Sequence, residues 1–243
     1  MAEKPTGFNY IEHYKKDAVE FDYFEERKGA TLHDERRVHE YILSRIDKKA
    51  GIVLDIGCGS AWLAETLTTH GLSVVSTDIA LANLKKAKVK VPVMNHHQTA
   101  LDSFNLPFND KSFDYVVASE VIEHVPDPGA FIKELSSKVK PGGKLIITTP
   151  YKEKLQYVLC IHCNEKTPVH AHIHSFDENK LSDYFSDEQK PRVKYFVFGN
   201  KYLIFARTYM LLQFLPFSLW KPVDRFTSFF LRKDVHILIE YTG

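Results

Sequence analysis

The sequence predicts an α/β fold, a doubly wound and mostly parallel sheet of seven strands, with helices before it and a helical insertion near its end. Three observations carry that reading. From Gly51 onward, short β-branched runs alternate with amphipathic stretches, the pattern of βαβ units packed on both faces of a parallel sheet. An apolar run enters Asp55-Ile56-Gly57-Cys58-Gly59 and passes directly into a helical pattern. Near the end, two further strand-like runs flank a long aromatic stretch.

In chain order, residues 1–50 form a helical cover, with Val38, Tyr41, Ile42 and Ile46 at helical spacing. Residues 51–150 form the alternating core, with strands over 52–56, 73–78, 91–94, 115–119 and 144–149 and helices over 61–70, 80–88 and 128–139. Lys140-Pro141-Gly142-Gly143 reads as a helix stop that turns into the next strand. Residues 151–243 complete the same domain, with strands over 193–198 and 235–241 around the insertion.

Composition narrows the classes. The 243 residues are 44% hydrophobic and 26% charged, with a formal net charge of +1, so a full core is affordable and no basic field points to nucleic acid. Three cysteines make no disulfide framework, and Met1-Ala2-Glu3-Lys4-Pro5 lacks the apolar core of a leader, which together suggest a cytoplasmic, reduced protein. The apolar stretch 202–220 is broken by Arg207, Gln213 and Pro216, so an interfacial or buried helix is expected rather than a spanning one.

The glycine turn sets backbone N–H groups and a helix start beside a ligand. A dinucleotide site wants a third glycine where helix packs on strand, and Trp62 stands there instead. Asp78 closes the second strand, where a carboxylate offers acceptors to both hydroxyls of a diol; it can equally cap the helix that follows. Asp102-Ser103-Phe104-Asn105-Leu106-Pro107-Phe108 reads locally as a polar turn.

Residues 53–150 as a whole resemble the class I S-adenosylmethionine-dependent methyltransferases, especially the broad group that includes the ubiquinone- and menaquinone-biosynthesis enzymes. The resemblance runs through Asp55–Gly59, Asp78, Asp102, the run Ser112-Phe113-Asp114-Tyr115-Val116-Val117-Ala118-Ser119 with Glu120-Val121-Ile122-Glu123-His124-Val125, and Lys140–Leu145, in the family's order. It implies the Rossmann-like methyltransferase fold, S-adenosylmethionine as cofactor and S-adenosylhomocysteine as product. By that likeness Asp55, Gly57, Cys58 and Gly59 surround the methionine part, and Asp78 with Ile79 serves the ribose. Asp102 and Ser103 serve the adenine, and Ser119 and Glu120 close the pocket. Tyr10, Tyr14 and the run His33-Asp34-Glu35-Arg36-Arg37 fall where related enzymes lay a helix over the cofactor, so Arg37 is the candidate partner of the methionine carboxylate; a solvated helix face is the alternative for it.

Methyl transfer from a sulfonium needs alignment and exclusion of water, and a general base only when a proton must leave the acceptor. His124, after the fourth strand, is one candidate, although it can also simply cap the cofactor pocket; His172 and His174 are the others. Cys160-Ile161-His162-Cys163 with His170, His172 and His174 holds much of a transition-metal set, and a zinc site of Cys160, Cys163, His170 and His172 is one reading. An acceptor-binding histidine cluster and a packed loop with free thiols are the others. A Cys-x-x-Cys element followed by His172-Ile173-His174-Ser175-Phe176 also resembles a subgroup of these methyltransferases, which places it on the acceptor side.

The aromatic insertion suggests a lid, a homodimer interface, a peripheral contact with the inner face of a membrane, or an ordinary packed layer. A weaker resemblance to methyltransferases of cell-envelope saccharides and lipid-linked intermediates points to a hydroxyl on a glycan- or lipid-linked or other small-molecule acceptor, with a quinone-like ring as runner-up. A dehydrogenase and a catalytically silent cofactor-binding relative are the rival classes.

Overall fold

The computed structural model describes residues 9–49 and 51–243. Helix α1 (Tyr10–Glu20), capped by Asn9, and α2 (Gly29–Leu43) come first. The alternating core follows as β1 (Ile52–Ile56), α3 (Trp62–Thr68), β2 (Ser73–Asp78), α4 (Leu81–Lys90), β3 (His96–Ala100), β4 (Phe113–Ser119), α5 (Pro128–Lys138) and β5 (Val139–Pro150). A hairpin of β6 (Tyr157–Leu159) and β7 (Lys166–Pro168) leads to α6 (Glu178–Ser182) and β8 (Val193–Asn200). Helices α7 (Lys201–Ile204), α8 (Tyr209–Leu212) and α9 (Phe217–Leu231) then form the insertion before β9 (Asp234–Thr242).

Seven strands make one sheet in the order β3-β2-β1-β4-β5-β9-β8, parallel throughout except for β9. The central strands are apolar on both sides because both faces are covered. Leu54, Val116 and Ile147 meet Phe131, Ile132 and Leu135 of α5 on one face. Val53, Val117 and Ile146 meet Val38, Tyr41 and Ile42 of α2 and Leu63 and Leu67 of α3 on the other. Helix α5 starts where it does because Asp127 accepts the Ala130 N–H and Pro128 occupies the first turn.

Two expected boundaries move. The third strand lies at His96–Ala100 rather than 91–94, since α4 runs on to Lys90 and Val91 caps it. The true strand carries no apolar run, being an edge strand whose buried imidazole, His96, is satisfied by Val91 O at 3.0 Å and Ser76 Oγ at 3.1 Å. Lys140–Gly143 is part of β5 instead of a turn, with a bulge opposite 113–115. Gly143 is needed there: a Cβ would stand 2.7 Å from the Asp114 carbonyl oxygen.

Candidate active site

Strand order reverses between β1 and β4, and in open α/β sheets the crevice beyond the carboxyl ends at that point receives ligands. A cavity lies there. Gly57 and Gly59 after β1, Asp78 and Ile79 after β2, Ser103 after β3, and Glu120 and His124 after β4 line it. Tyr10, Tyr14 and Asp17 close it from α1, at the i, i+4, i+7 spacing of a single helix face.

The glycine turn is shaped by contact as well as by conformation. Gly57 sits at φ +67°, and a Cβ on it would meet Val121 Cγ2 at 2.9 Å. Cys58, which sequence placed among the ligand contacts, turns away: its N–H donates to Thr77 O at 2.9 Å and its side chain packs with Leu84 and Ala87. Asp55 lies beneath the turn, outside the cavity wall, accepting from Ser76 Oγ at 3.3 Å, and burial pushes its carboxyl up to about 7. At the third-glycine position Trp62 opens α3 and stacks on His39 of α2, ring centroids 3.6 Å apart.

Asp78 caps the following helix and stands at the cavity wall. Its Oδ1 accepts the Ala80 N–H at 2.8 Å, starting α4, and its Oδ2 accepts from Asn83 Nδ2 at 3.2 Å at the cavity wall. Burial raises its pKa, opposed by those same hydrogen bonds. Asp102 lines a neighbouring groove rather than the main cavity, because Tyr10 of α1 donates to its Oδ2 at 2.5 Å while Oδ1 takes the Phe104 N–H. Ser119 pairs with Thr148 Oγ1 at 3.4 Å and does not reach the cavity. Glu120, at φ +53°, turns its side chain into it.

Two properties define what fits. Three buried polar atoms on the wall have no partner in the protein: Tyr14 OH, Asn83 Oδ1 and Glu120 Oε1. A polar ligand is what such atoms lack. Among the described residues the wall holds Asp17, Asp78 and Glu120 but no lysine or arginine, which disfavours a pyrophosphate and suits a ligand carrying an ammonium, a sulfonium and a ribose diol.

The family of proteins described as having a methyltransferase domain matches residues 25–188, more than half of the chain. The chain belongs to the class I S-adenosylmethionine-dependent methyltransferases. The ubiquinone biosynthesis O-methyltransferase of Coxiella burnetii is 34% identical over 124 residues, which are 50% of this chain and 53% of that protein. The mitochondrial ubiquinone biosynthesis O-methyltransferase of Dictyostelium discoideum is 37% identical over 45% of this chain and 38% of its own. The chain thus spans about half the length, or less, of these curated relatives. A Mesorhizobium loti S-adenosylmethionine-dependent methyltransferase shares the fold with a TM-score of 0.59 at 14% identity, covering 87% of this chain and 100% of that one. A Pyrococcus horikoshii protein does so with 0.60 at 19%, covering 94% and 99%.

Beside the first cavity the methyltransferase has a second, larger one that shares Tyr14, Asp17, Tyr23 and His124 with it. His124 Nδ1 faces Ala171 O at 3.3 Å, and its Nε2, without a hydrogen bond among the described residues, lies 3.9 Å from Glu123 Oε1. Burial and the neighbouring His172 hold this imidazole neutral, with its pKa lowered to about 3. His172, 4.8 Å away between ring centroids, pairs through Nδ1 with Glu153 at 2.6 Å. His174 is turned aside: its Nε2 lies 3.0 Å from Val125 O and its ring is tilted against Phe176. His170, His172 and His174 do not follow one another along a strand, because Val169–Ala171 forms a 3-10 turn with His170 at φ +57°.

The four expected zinc ligands are not gathered. Cys160 and Cys163 sit at the tip of the β6–β7 hairpin, where the Cys163 and His162 N–H groups hold the Cys160 thiol below its ordinary range. Among the described residues the metal-ligating atoms that do converge, within 4.8 Å of one another, are those of Glu123, His124 and His172. Glu123 is fully buried, its carboxyl pushed well up by that burial, with Oε2 accepting from Thr149 at 3.0 Å and Oε1 unpartnered. Sequence reasoning missed it as a ligand, although its place one residue before His124 was the available signal.

Arg37 does not reach the first cavity. Its guanidinium is buried over the Trp220 ring, donating to Leu212 O at 2.9 Å and Leu215 O at 3.0 Å and pairing with Glu40. The insertion supplies these carbonyls, so the arginine is spent on fastening it.

Proposed function

We propose that this methyltransferase moves the methyl group to a hydroxyl oxygen of an acceptor held in the second cavity, with His124 receiving the hydroxyl proton. The single observation that carries the proposal is that His124 stands on the wall common to both cavities, in the neutral form that can accept a proton. S-adenosylmethionine, when bound, supplies a methyl carbon already activated by the sulfonium charge. Asp78 and Asn83 would hold its ribose, Glu120 its ammonium, and Ile79 and Ser103 its adenine. Tyr14 and Tyr23 exclude water between the cavities. A base of such low pKa keeps a proton briefly, and His172 with Glu153, half-buried at the rim, offers the way out to solvent.

The acceptor class proposed is a hydroxyl on a glycan- or lipid-linked precursor, to which the weaker sequence resemblance points. A phenolic ring of the quinone type is the second reading, favoured by relatives named ubiquinone biosynthesis O-methyltransferases and by the aromatic wall of Tyr14, Phe21 and Tyr23. In another reading, which takes His124 out of the role of base, a divalent cation, zinc among them, would be held by Glu123, His124 and His172 rather than by the cysteine pair, and the unpartnered Glu123 Oε1 supports it. Bound there it would polarise the acceptor hydroxyl. Methyl transfer should be assayed across nucleotide sugars, glycolipids and quinone precursors, with and without chelator. Methylation of none of them would defeat both acceptor classes.

A further inference from the structure

Strand β8 runs parallel to β5, so its end at Asn200 and the end of β5 at Pro150 lie at the same carboxyl edge as the cofactor cavity. Residues 201–233 leave from that edge and return to it at Asp234. One side of this insertion is fastened down. Arg36 donates to Gln213 O at 2.8 Å, Arg37 holds Leu212 and Leu215, and on α9 Trp220 and Asp224 are buried. Asp224 accepts from Tyr41 OH and from the Asn200 N–H.

The other side is apolar and faces outward. Leu219, Val223, Phe226 and Phe230 follow each other at the i, i+4, i+7, i+11 spacing of one stripe on α9, with Phe229 beside them. Phe214 is 78% exposed and Phe229 73%. Close to half of the exposed large apolar side chains among the described residues fall within this insertion. Such a patch costs solubility unless something covers it.

Its charges indicate the cover. Lys201, Arg207, Lys221, Arg225, Arg232 and Lys233 are the basic residues of the segment, and its sole acidic residue, Asp224, is 1% exposed. Lys221 lies over the Tyr41 and Phe217 rings on the fastened side, but the other five are exposed, and a second copy docking on the insertion across a two-fold axis would set them against their own copies. An anionic bilayer offers acyl chains to the phenylalanines and phosphates to the lysines and arginines. No helix among the described residues is long and apolar enough to cross a membrane.

From these observations we infer that the insertion lies on an anionic lipid surface, the phenylalanine stripe of α9 entering the interface and the basic residues meeting the headgroups. The docking holds whichever acceptor is methylated, and it sets the cofactor edge of the sheet toward the lipid side.

The test is co-sedimentation of the whole chain with vesicles of phosphatidylcholine alone and of phosphatidylcholine with about a third phosphatidylglycerol. Binding is expected to the mixed vesicles, to fall with added salt, and to weaken roughly tenfold or more in Phe229→Ser/Phe230→Ser and in Arg225→Glu/Arg232→Glu. These side chains are exposed, so both variants should keep the parent melting temperature, which checks that they fold. Failure of the parent to bind the mixed vesicles, or equal binding to neutral ones, overturns the docking. So does a dimer in solution that Phe229→Ser/Phe230→Ser dissociates, since a second copy would then be the cover.

Discussion

The imidazole Nε2 of His236, on β9, lies 2.8 Å from Oδ1 of Asp34 on α2. Its Nδ1 faces Glu120 at 3.6 Å, too long for a hydrogen bond and close enough for charge attraction. Burial opposes the charged form of this histidine, but the two carboxylates outweigh it and raise its pKa to about 10. The cavity residue Glu120 is thereby tied to the helix that fastens the insertion.

His236 is protonated more readily in the folded protein than its ordinary 6.5, so its contribution to stability is complete below about pH 6.5 and is lost as pH rises through about 10. His236→Gln should cost on the order of a few kcal/mol near neutral pH by leaving Asp34 and Glu120 unpaired. Thermal melts from pH 6 to 10 should show the gap between parent and variant closing at the alkaline end.

Asp78→Ala should weaken S-adenosylmethionine binding by roughly tenfold or more and lower stability by about 1 kcal/mol, since the Ala80 N–H loses its acceptor. Because burial raises the Asp78 pKa, affinity should fall on acidification sooner than an ordinary carboxylate would allow. Calorimetric titration across acidic pH measures both effects.

Replacing His124 with Asn should lower kcat by roughly a hundredfold while leaving the cofactor Kd within about twofold, if it takes the acceptor proton. With its pKa at about 3, the rate profile should show no inflection from this group between pH 6 and 9. An unchanged kcat in the variant would remove it from the chemistry.

A Cβ at residue 57 meets Val121 at 2.9 Å on a backbone at φ +67°. Gly57→Ala should therefore destabilise the fold by about 1–3 kcal/mol and impair cofactor binding. Val121→Ala, in the same chain, should recover part of the binding by removing the clash but none of the backbone strain.

Metal content separates the cysteine pair from the histidine cluster. Cys160→Ser/Cys163→Ser should leave bound divalent cation and activity within about twofold, and His172→Ala should lower both. Elemental analysis of the purified variants reads this directly.

The glycine turn and the strands β1, β2 and β4 were legible because each is a short contiguous segment with an apolar run, whereas Lys140–Gly143, expected as a turn, pairs within β5. The edge strand β3 was misplaced for the converse reason, as His96-His97-Gln98-Thr99-Ala100 presents no apolar periodicity. The hairpin that carries Cys160 and Cys163 was not foreseen, since its three-residue strands are too short to show alternation.

The glycine turn, Asp78 and the ordered motifs behind them identify a methyltransferase from sequence through their resemblance to that family, which is readable because each motif is a short contiguous segment. Side-chain partners distant in sequence were settled only by folding. Tyr10 meets Asp102 92 residues away, Arg37 turns to carbonyls 175 and 178 residues on, and Asp34 meets His236 across 202. A polar side chain takes the partner that packing buries beside it, and which segments pack together is a property of the whole tertiary structure.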